Sequence, residues 1–164
     1  MGVWTGTVPT FAAGAKLRGV DQQTLADIAS ALTDSWTTWV PTLTNLTQGS
    51  GTLTAKYRRV GKTVDFRFLF IFGAASAVGT SPQFTLPVAP HSDYAAAAGA
   101  FLGSGYLIDA SGGARDGAPL YVSGSTVTIQ FWNATPANTD VTSTVPWTWA
   151  TGDILEVHGT YYTA

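Results

Sequence analysis

The stretch Thr52-Leu53-Thr54-Ala55-Lys56-Tyr57-Arg58-Arg59-Val60-Gly61-Lys62-Thr63-Val64-Asp65-Phe66-Arg67-Phe68-Leu69-Phe70-Ile71-Phe72 decides the fold. In its first half Leu53, Ala55 and Tyr57 alternate with Thr54, Lys56 and Arg58, the period-2 pattern of a strand covered on one face. Gly61-Lys62 then supplies a two-residue hairpin turn. The return strand places Val64, Phe66, Phe68, Phe70 and Phe72 on one face and Asp65, Arg67, Leu69 and Ile71 on the other, so its second half is apolar on both sides. A strand of this kind runs from a wet edge into a place covered twice, either by a loop of the same chain or where subunits meet.

Further strands are expected at Gln83 to Leu86, Ala97 to Ile108, Pro119 to Val122, Thr126 to Trp132 and Ile154 to Tyr162. Turn chemistry separates them at Ser111-Gly112-Gly113, Asp116-Gly117, Ser123-Gly124-Ser125 and Thr151-Gly152-Asp153. About seven or eight antiparallel strands without intervening helices predict a mainly β fold, a β-sandwich or jelly-roll-like domain over residues 36–164. Trp36-Thr37-Thr38-Trp39-Val40-Pro41 and Val145-Pro146-Trp147-Thr148-Trp149 share a Trp/Thr/Pro character and are candidates for neighbouring first and late strands.

Residues 1–35 read differently. Met1 to Gly19 has no periodicity and is expected to be an extended arm anchored by Phe11 and Leu17. Asp21 to Leu32 predicts one short α-helix, N-capped by Asp21 and ended by Thr33-Asp34-Ser35, with Leu25, Ile28, Ala29 and Leu32 on one stripe. A helix this short is marginal alone, so it packs either on its own β domain or in a bundle with copies of itself.

Composition narrows the function. Only 11% of the 164 residues are charged, against roughly 25% for an average soluble domain, and the net charge is −2. That balance gives no attraction for a nucleic-acid backbone. Twenty-five threonines and a single glutamate fit pleated, half-buried strands. Cysteine is absent, which removes disulfides and thiolate metal sites. No apolar run reaches the roughly 18 residues of a membrane span, and the opening residues do not read as a signal peptide.

Catalytic constellations are thin. The two histidines, His91 and His158, have no Gly-x-Ser-x-Gly elbow to serve, and Ser104 in Gly103-Ser104-Gly105 falls one residue short of it. Glu156 and His158 share a strand face, but two ligands are not a metal site, and Asp153 is the one nearby third candidate. Paired carboxylates for glycoside cleavage have raw material in Asp65, Asp93, Asp109, Asp116, Asp140 and Glu156, with Asp109 and Asp116 framing a Gly-rich turn where aspartate is common anyway. Val60-Gly61-Lys62-Thr63 imitates the end of a phosphate loop, yet it lies between strands and is a hairpin tip. No cofactor is implied. Five of the eight basic residues, Lys56, Arg58, Arg59, Lys62 and Arg67, share this hairpin, either as a patch for an anionic partner or as a solvated face that discourages edge pairing. Tyr106, Trp132, Tyr161 and Tyr162 are candidates for stacking on sugars where exposed.

The segments Trp39-Val40-Pro41-Thr42-Leu43-Thr44-Asn45-Leu46-Thr47, Gly51 to Val64, Phe84-Thr85-Leu86-Pro87, Gly152-Asp153-Ile154-Leu155 and Gly159-Thr160-Tyr161 resemble a β module of virion proteins from phages of actinobacteria, usually labelled minor tail or tail-fibre proteins. Val8-Pro9-Thr10-Phe11 and Gly14-Ala15-Lys16-Leu17 with the short helix are similar to the attachment segment in front of that module. The resemblance implies a non-enzymatic virion structural protein, homotrimeric, made in the host cytoplasm and displayed on the particle surface. Its arm would join other virion proteins, and its head would meet a host cell-surface glycan. Phe11, Leu17, Leu25, Ile28, Leu32, Leu69 and Ile71 are then the expected assembly residues. A tail-tip or fibre component and a capsid decoration protein or head fibre both fit. A polysaccharide-degrading enzyme lacks a recognisable site.

Overall fold

The computed structural model describes residues 19–32, 36–96, 100–123, 126–131 and 139–164. The expected arm with Phe11 and Leu17, the helix stop at Thr33-Asp34-Ser35, the strand start at Ala97, the turn residues Gly124-Ser125 and the strand end at Trp132 lie outside the described residues, as does the Leu32 side chain. The chain divides into two units, Met1–Trp36 and Thr37–Ala164.

The first unit contains the helix α1, Gly19–Leu32. It begins two residues before the expected start, so Asp21 falls within its first turn and not at the cap. Gln23 Nε2 donates to Asp27 Oδ1 at 2.9 Å, one turn on. Leu25 is exposed and Ile28 half-buried.

The second unit is antiparallel β. Its strands are β1 Thr37–Thr38, β2 Leu43–Thr47, β3 Thr52–Val60, β4 Thr63–Ile71, β5 Ala77–Thr85, β6 Ala100–Ile108, β7 Arg115–Ser123, β8 Thr126–Phe131, β9 Thr139–Asp140 and β10 Ile154–Tyr162, with a short helix α2, Ser92–Ala96, before β6. They form one hydrogen-bonded sheet in the order β1-β3-β4-β10-β6-β7-β8-β5-β2, with β9 added to β8. The mainly β, antiparallel architecture is the one expected. The sheet curls into a half-barrel, so its two halves face each other as sandwich layers do while remaining continuous.

The alternation of Phe66, Phe68 and Phe70 drives that curl. All three are buried. Phe68 of β4 stacks on Phe84 of β5 at 4.2 Å between ring centres, although four strands separate β4 from β5 in the sheet order. Phe66 meets Phe84 and Tyr161 edge-on. Leu107, Leu120, Val127, Leu155 and Val157 complete a core sealed from water. Where the Phe66 ring crosses β10, a Cβ on Gly159 would lie 2.5 Å from it, so glycine is required by packing.

The hairpin is as read: Val60 pairs Thr63, and Gly61 carries φ +59°, the primed-turn geometry. Two other readings are corrected. Asp116-Gly117 is not a turn but lies within β7, paired with Leu107 and Tyr106, because the true turn at 109–114 is already closed by Asp109. The tryptophan segments are not neighbours: Trp39 packs on Tyr57 and Phe66, whereas Trp149 stacks on Phe72. Phe66 and Phe72, the latter just past the end of β4, are six positions apart, roughly 20 Å along an extended chain.

One run, Thr37 to Thr47, serves both edges of the sheet. Thr37 and Thr38 pair with β3, and Leu43 to Thr47 pair with β5. Between them Trp39 N–H donates to Ala55 O at 3.1 Å and the Trp39 indole donates to Thr85 O at 3.2 Å, carrying the chain across the open side.

Candidate functional site

The registers of β3, β4, β10 and β6 lay out the outer face of the sheet row by row, since residues directly opposite share a face. The first row is Thr52, Ile71, Ile154 and Ile108; the second is Thr54, Leu69, Glu156 and Tyr106; the third is Lys56, Arg67, His158 and Ser104. Neighbours in a row lie about 5 Å apart, so three isoleucines stand side by side across three strands. Ile71, Ile154, Ile108 and Leu69 are half-buried, and Tyr106 is exposed. The expected assembly residues Leu69 and Ile71 therefore belong to one apolar patch that draws on two further strands. The sequence does not single out Ile154 and Ile108, and it offers Tyr106 only as a sugar-stacking candidate, because their partners lie in distant sequence; the alternation of β10 is the available signal.

Below the patch the face is charged but largely neutralised. Arg67 Nε and Nη2 both donate to Glu156 Oε1, at 2.8 and 2.6 Å, and His158 Nε2 lies 3.3 Å from the same oxygen. Arg58 Nε donates to Asp65 Oδ2 at 2.9 Å, and the Thr160 hydroxyl to Asp65 Oδ1 at 2.7 Å. The Thr160 hydroxyl, then the Arg58 guanidinium, hold the Asp65 carboxyl below its ordinary range against the opposing effect of burial.

The five basic residues are consequently split. Lys56, Arg58 and Arg67 share the outer face with two carboxylates. Arg59 turns to the hairpin tip, where Nε donates to Gly61 O and Nη2 to the Thr163 hydroxyl, and Lys62 sits in the turn itself. Three cations against two carboxylates are a weak attraction for an anionic polymer, and pairs this exposed contribute about 0–1 kcal/mol each.

The geometry also sorts the catalytic candidates. Ser104 lies directly opposite His158, which touches Glu156, so three triad residue types become neighbours. No hydrogen bond joins Ser104 to His158 among the described residues. At Ser104 both flanks of β6 are paired, to His158 of β10 and Pro119 of β7, so the residue stands within the sheet and not on a turn. The glycines around Ser104 have packing roles: a Cβ on Gly103 would lie 2.2 Å from His158 O, and one on Gly105 2.5 Å from Val157.

Asp153 is buried and accepts from Ala110 N–H at 3.0 Å and Ala150 N–H at 2.7 Å, tying the 109–114 turn to the entry of β10. Asp109 Oδ1 accepts from Ser111 N–H, the Ser111 hydroxyl and Gly112 N–H. The Gly112 N–H, with the Ser111 hydroxyl, lowers its carboxyl. No group of three or more metal-ligating side chains occurs among the described residues, and no described helix is long and apolar enough to cross a membrane.

Of the sugar-stacking candidates, Tyr161 is buried, with its hydroxyl donating to Val88 O at 2.7 Å and accepting from Val88 N–H at 3.2 Å. Tyr106 and Tyr162 are exposed. Trp132 lies outside the described residues. The chain matches no protein-family model, and no curated protein matches it at a significant level.

Proposed function

We propose that this chain is a non-enzymatic structural protein of a phage particle surface that assembles with copies of itself, as a homotrimer, and presents its β unit to a surface glycan. One observation carries the assembly part. The apolar outer patch of Leu69, Ile71, Ile154, Ile108 and Tyr106 stands beside a core already complete without it. A half-buried cross-strand row of isoleucines leaves some apolar surface in water, and contact with another apolar surface would remove it. Leu25 and Ile28 on α1 offer a second apolar surface of the same kind. The virion assignment rests on the resemblance of the hairpin and closing-strand segments to phage tail modules.

The test is the mass of the full chain in solution by light scattering. Ile71→Asp with Leu69→Asp, and separately Leu25→Asp with Ile28→Asp, should each leave the strand signal intact and lower the mass toward one chain. An unaltered mass in both variants rejects self-assembly through these surfaces, and a monomeric wild-type chain rejects it outright. Copy number in purified particles then separates a tail-tip component, present in few copies, from a capsid decoration protein, present in many.

A further inference from the structure

At the sheet end where the β3–β4 hairpin turns, the β5–β6 connection brings three rings and a carboxylate together on the surface. Tyr162, at the end of β10, is 42% exposed. The His91 ring lies 5.2 Å from its ring centre, tilted by 40°, and the Tyr94 ring 4.8 Å away, tilted by 50°. The Tyr162 phenol donates to Asp93 Oδ2 at 3.0 Å. His91 Nδ1 accepts from Asp93 N–H at 3.3 Å and lies 3.2 Å from Asp93 Oδ1. Backbone bonds fix the arrangement: His91 N–H donates to Tyr162 O at 2.9 Å, and Tyr162 N–H to the Tyr94 hydroxyl at 3.4 Å. Beneath it the buried Tyr161 phenol anchors Val88 through both main-chain groups.

Tyr94 joins the cluster to the core, meeting the buried Tyr161 ring edge-on, while Tyr162 lies on the outer side. The outward parts of the cluster are the Tyr162 ring and the Asp93 carboxylate, whose side chain is 65% exposed. A carboxylate offers about four acceptor positions, and the Tyr162 phenol fills one. Thr63, paired with Tyr162 across the strands, adds an exposed threonine beside it. A flat apolar ring held rigid beside unfilled acceptors matches a molecule with a C–H face and hydroxyls at its edge. An anionic ligand would meet the Asp93 charge, and a wholly apolar one would strip its water. A cation cage is also disfavoured, because the His91 and Tyr94 rings each pack directly on the Tyr162 ring, which occupies the place between them that an ammonium group would need.

We propose that Tyr162, with Asp93 and His91, forms a binding platform for a neutral pyranose unit of a polysaccharide. This rests on the glycan part of the reading above and gives it a location. The isotopically labelled full chain is titrated with neutral tetrasaccharides of glucose, galactose, mannose and xylose while the Tyr162, Tyr94 and His91 ring signals are followed by NMR. At least one should shift the Tyr162 and His91 signals saturably. Tyr162→Ala should weaken that binding about tenfold, the factor expected from losing one stacked ring. Asp93→Asn should weaken it severalfold, while Tyr162→Phe should retain most of it and Phe101→Ala, which removes an exposed ring elsewhere on the sheet, all of it. Unshifted Phe66 and Phe68 signals certify the fold of each variant, and Tyr162→Phe with Asp93→Asn carries the test if Tyr162→Ala unfolds. Binding that shifts other residues and leaves Tyr162 untouched overturns the platform but keeps the glycan reading. Binding of none of the four overturns the platform; the glycan reading then falls only if intact particles also fail to bind host cell-wall polysaccharide. Displacement of the sugar by choline would also overturn it, since the site would then be one that binds cations.

Discussion

The two halves of the sheet were built by different rules. In the β3–β4–β10 half, nine consecutive pairs join β3 to β4 and nine join β4 to β10 without a break in register. In the β2–β5 half, the register shifts: while β2 advances from Thr44 to Leu46, β5 runs from Gln83 to Val78. Asn45 and Ser81, both with positive φ, sit in that irregularity. Side chains replace the lost ladder bonds there. Asn45 Nδ2 donates to Thr80 O at 2.7 Å, and the Ser81 hydroxyl donates to Asp140. Strict alternation with a tight turn produces a ladder that local sequence specifies, whereas a bulge depends on polar partners that arrive from far along the chain.

The hardest blow to the regular half is Phe68→Ala. It removes a fully buried ring stacked on Phe84 and so leaves the edge-on Phe66 ring as the one aromatic contact of Phe84 among the described residues. A loss of about 3–5 kcal/mol in urea unfolding is expected. Gly159→Ala comes next, because the new methyl would meet the Phe66 ring at 2.5 Å and Leu102 O at 2.8 Å. Overpacking of this sort costs about 1–3 kcal/mol. In the irregular half, Asn45→Ala should cost about 1–2 kcal/mol, through the lost bond to Thr80 and the strained backbone. Asn45→Gly should recover part of that, since glycine tolerates the positive φ. Equal losses for Asn45→Ala and Asn45→Gly would show that the hydrogen bond, and not the backbone, holds the bulge.

Titration probes the ends of the regular half. Burial pushes the Tyr161 phenol up to about 12, and the Asp93 carboxylate raises Tyr162. Both folded values exceed the unfolded value of about 10, so each contribution is complete below that pH and is lost as pH rises through the folded value, about 12 for Tyr161. Asp65 runs the other way: its folded value is depressed, so its contribution holds above about pH 4 and fades as pH falls below it. Circular dichroism against pH should show an alkaline loss that Tyr161→Phe moves upward. The acid effect of Asp65→Asn should be smaller, because its partner Arg58 is exposed.

The sequence by itself determined which face of each regular strand is buried. Leu53, Ala55 and Tyr57 turn inward, Lys56 and Arg58 outward, and β10 follows its alternation from Ile154 to Tyr162, because a strand's side chains have a fixed period of two. The same parity put Tyr161 and Tyr162 on opposite faces. It also marked Gly61-Lys62 as a turn and placed a helix near 21–32. Partners were beyond its reach. That Thr37 to Thr47 closes both edges, that Asp116 and Gly117 continue a strand, and that Ile154 and Ile108 join Ile71 in one row were decided by tertiary structure. A period describes a segment's faces, but pairing depends on which distant segment reaches it when the phenylalanine core closes, and no local pattern carries that choice.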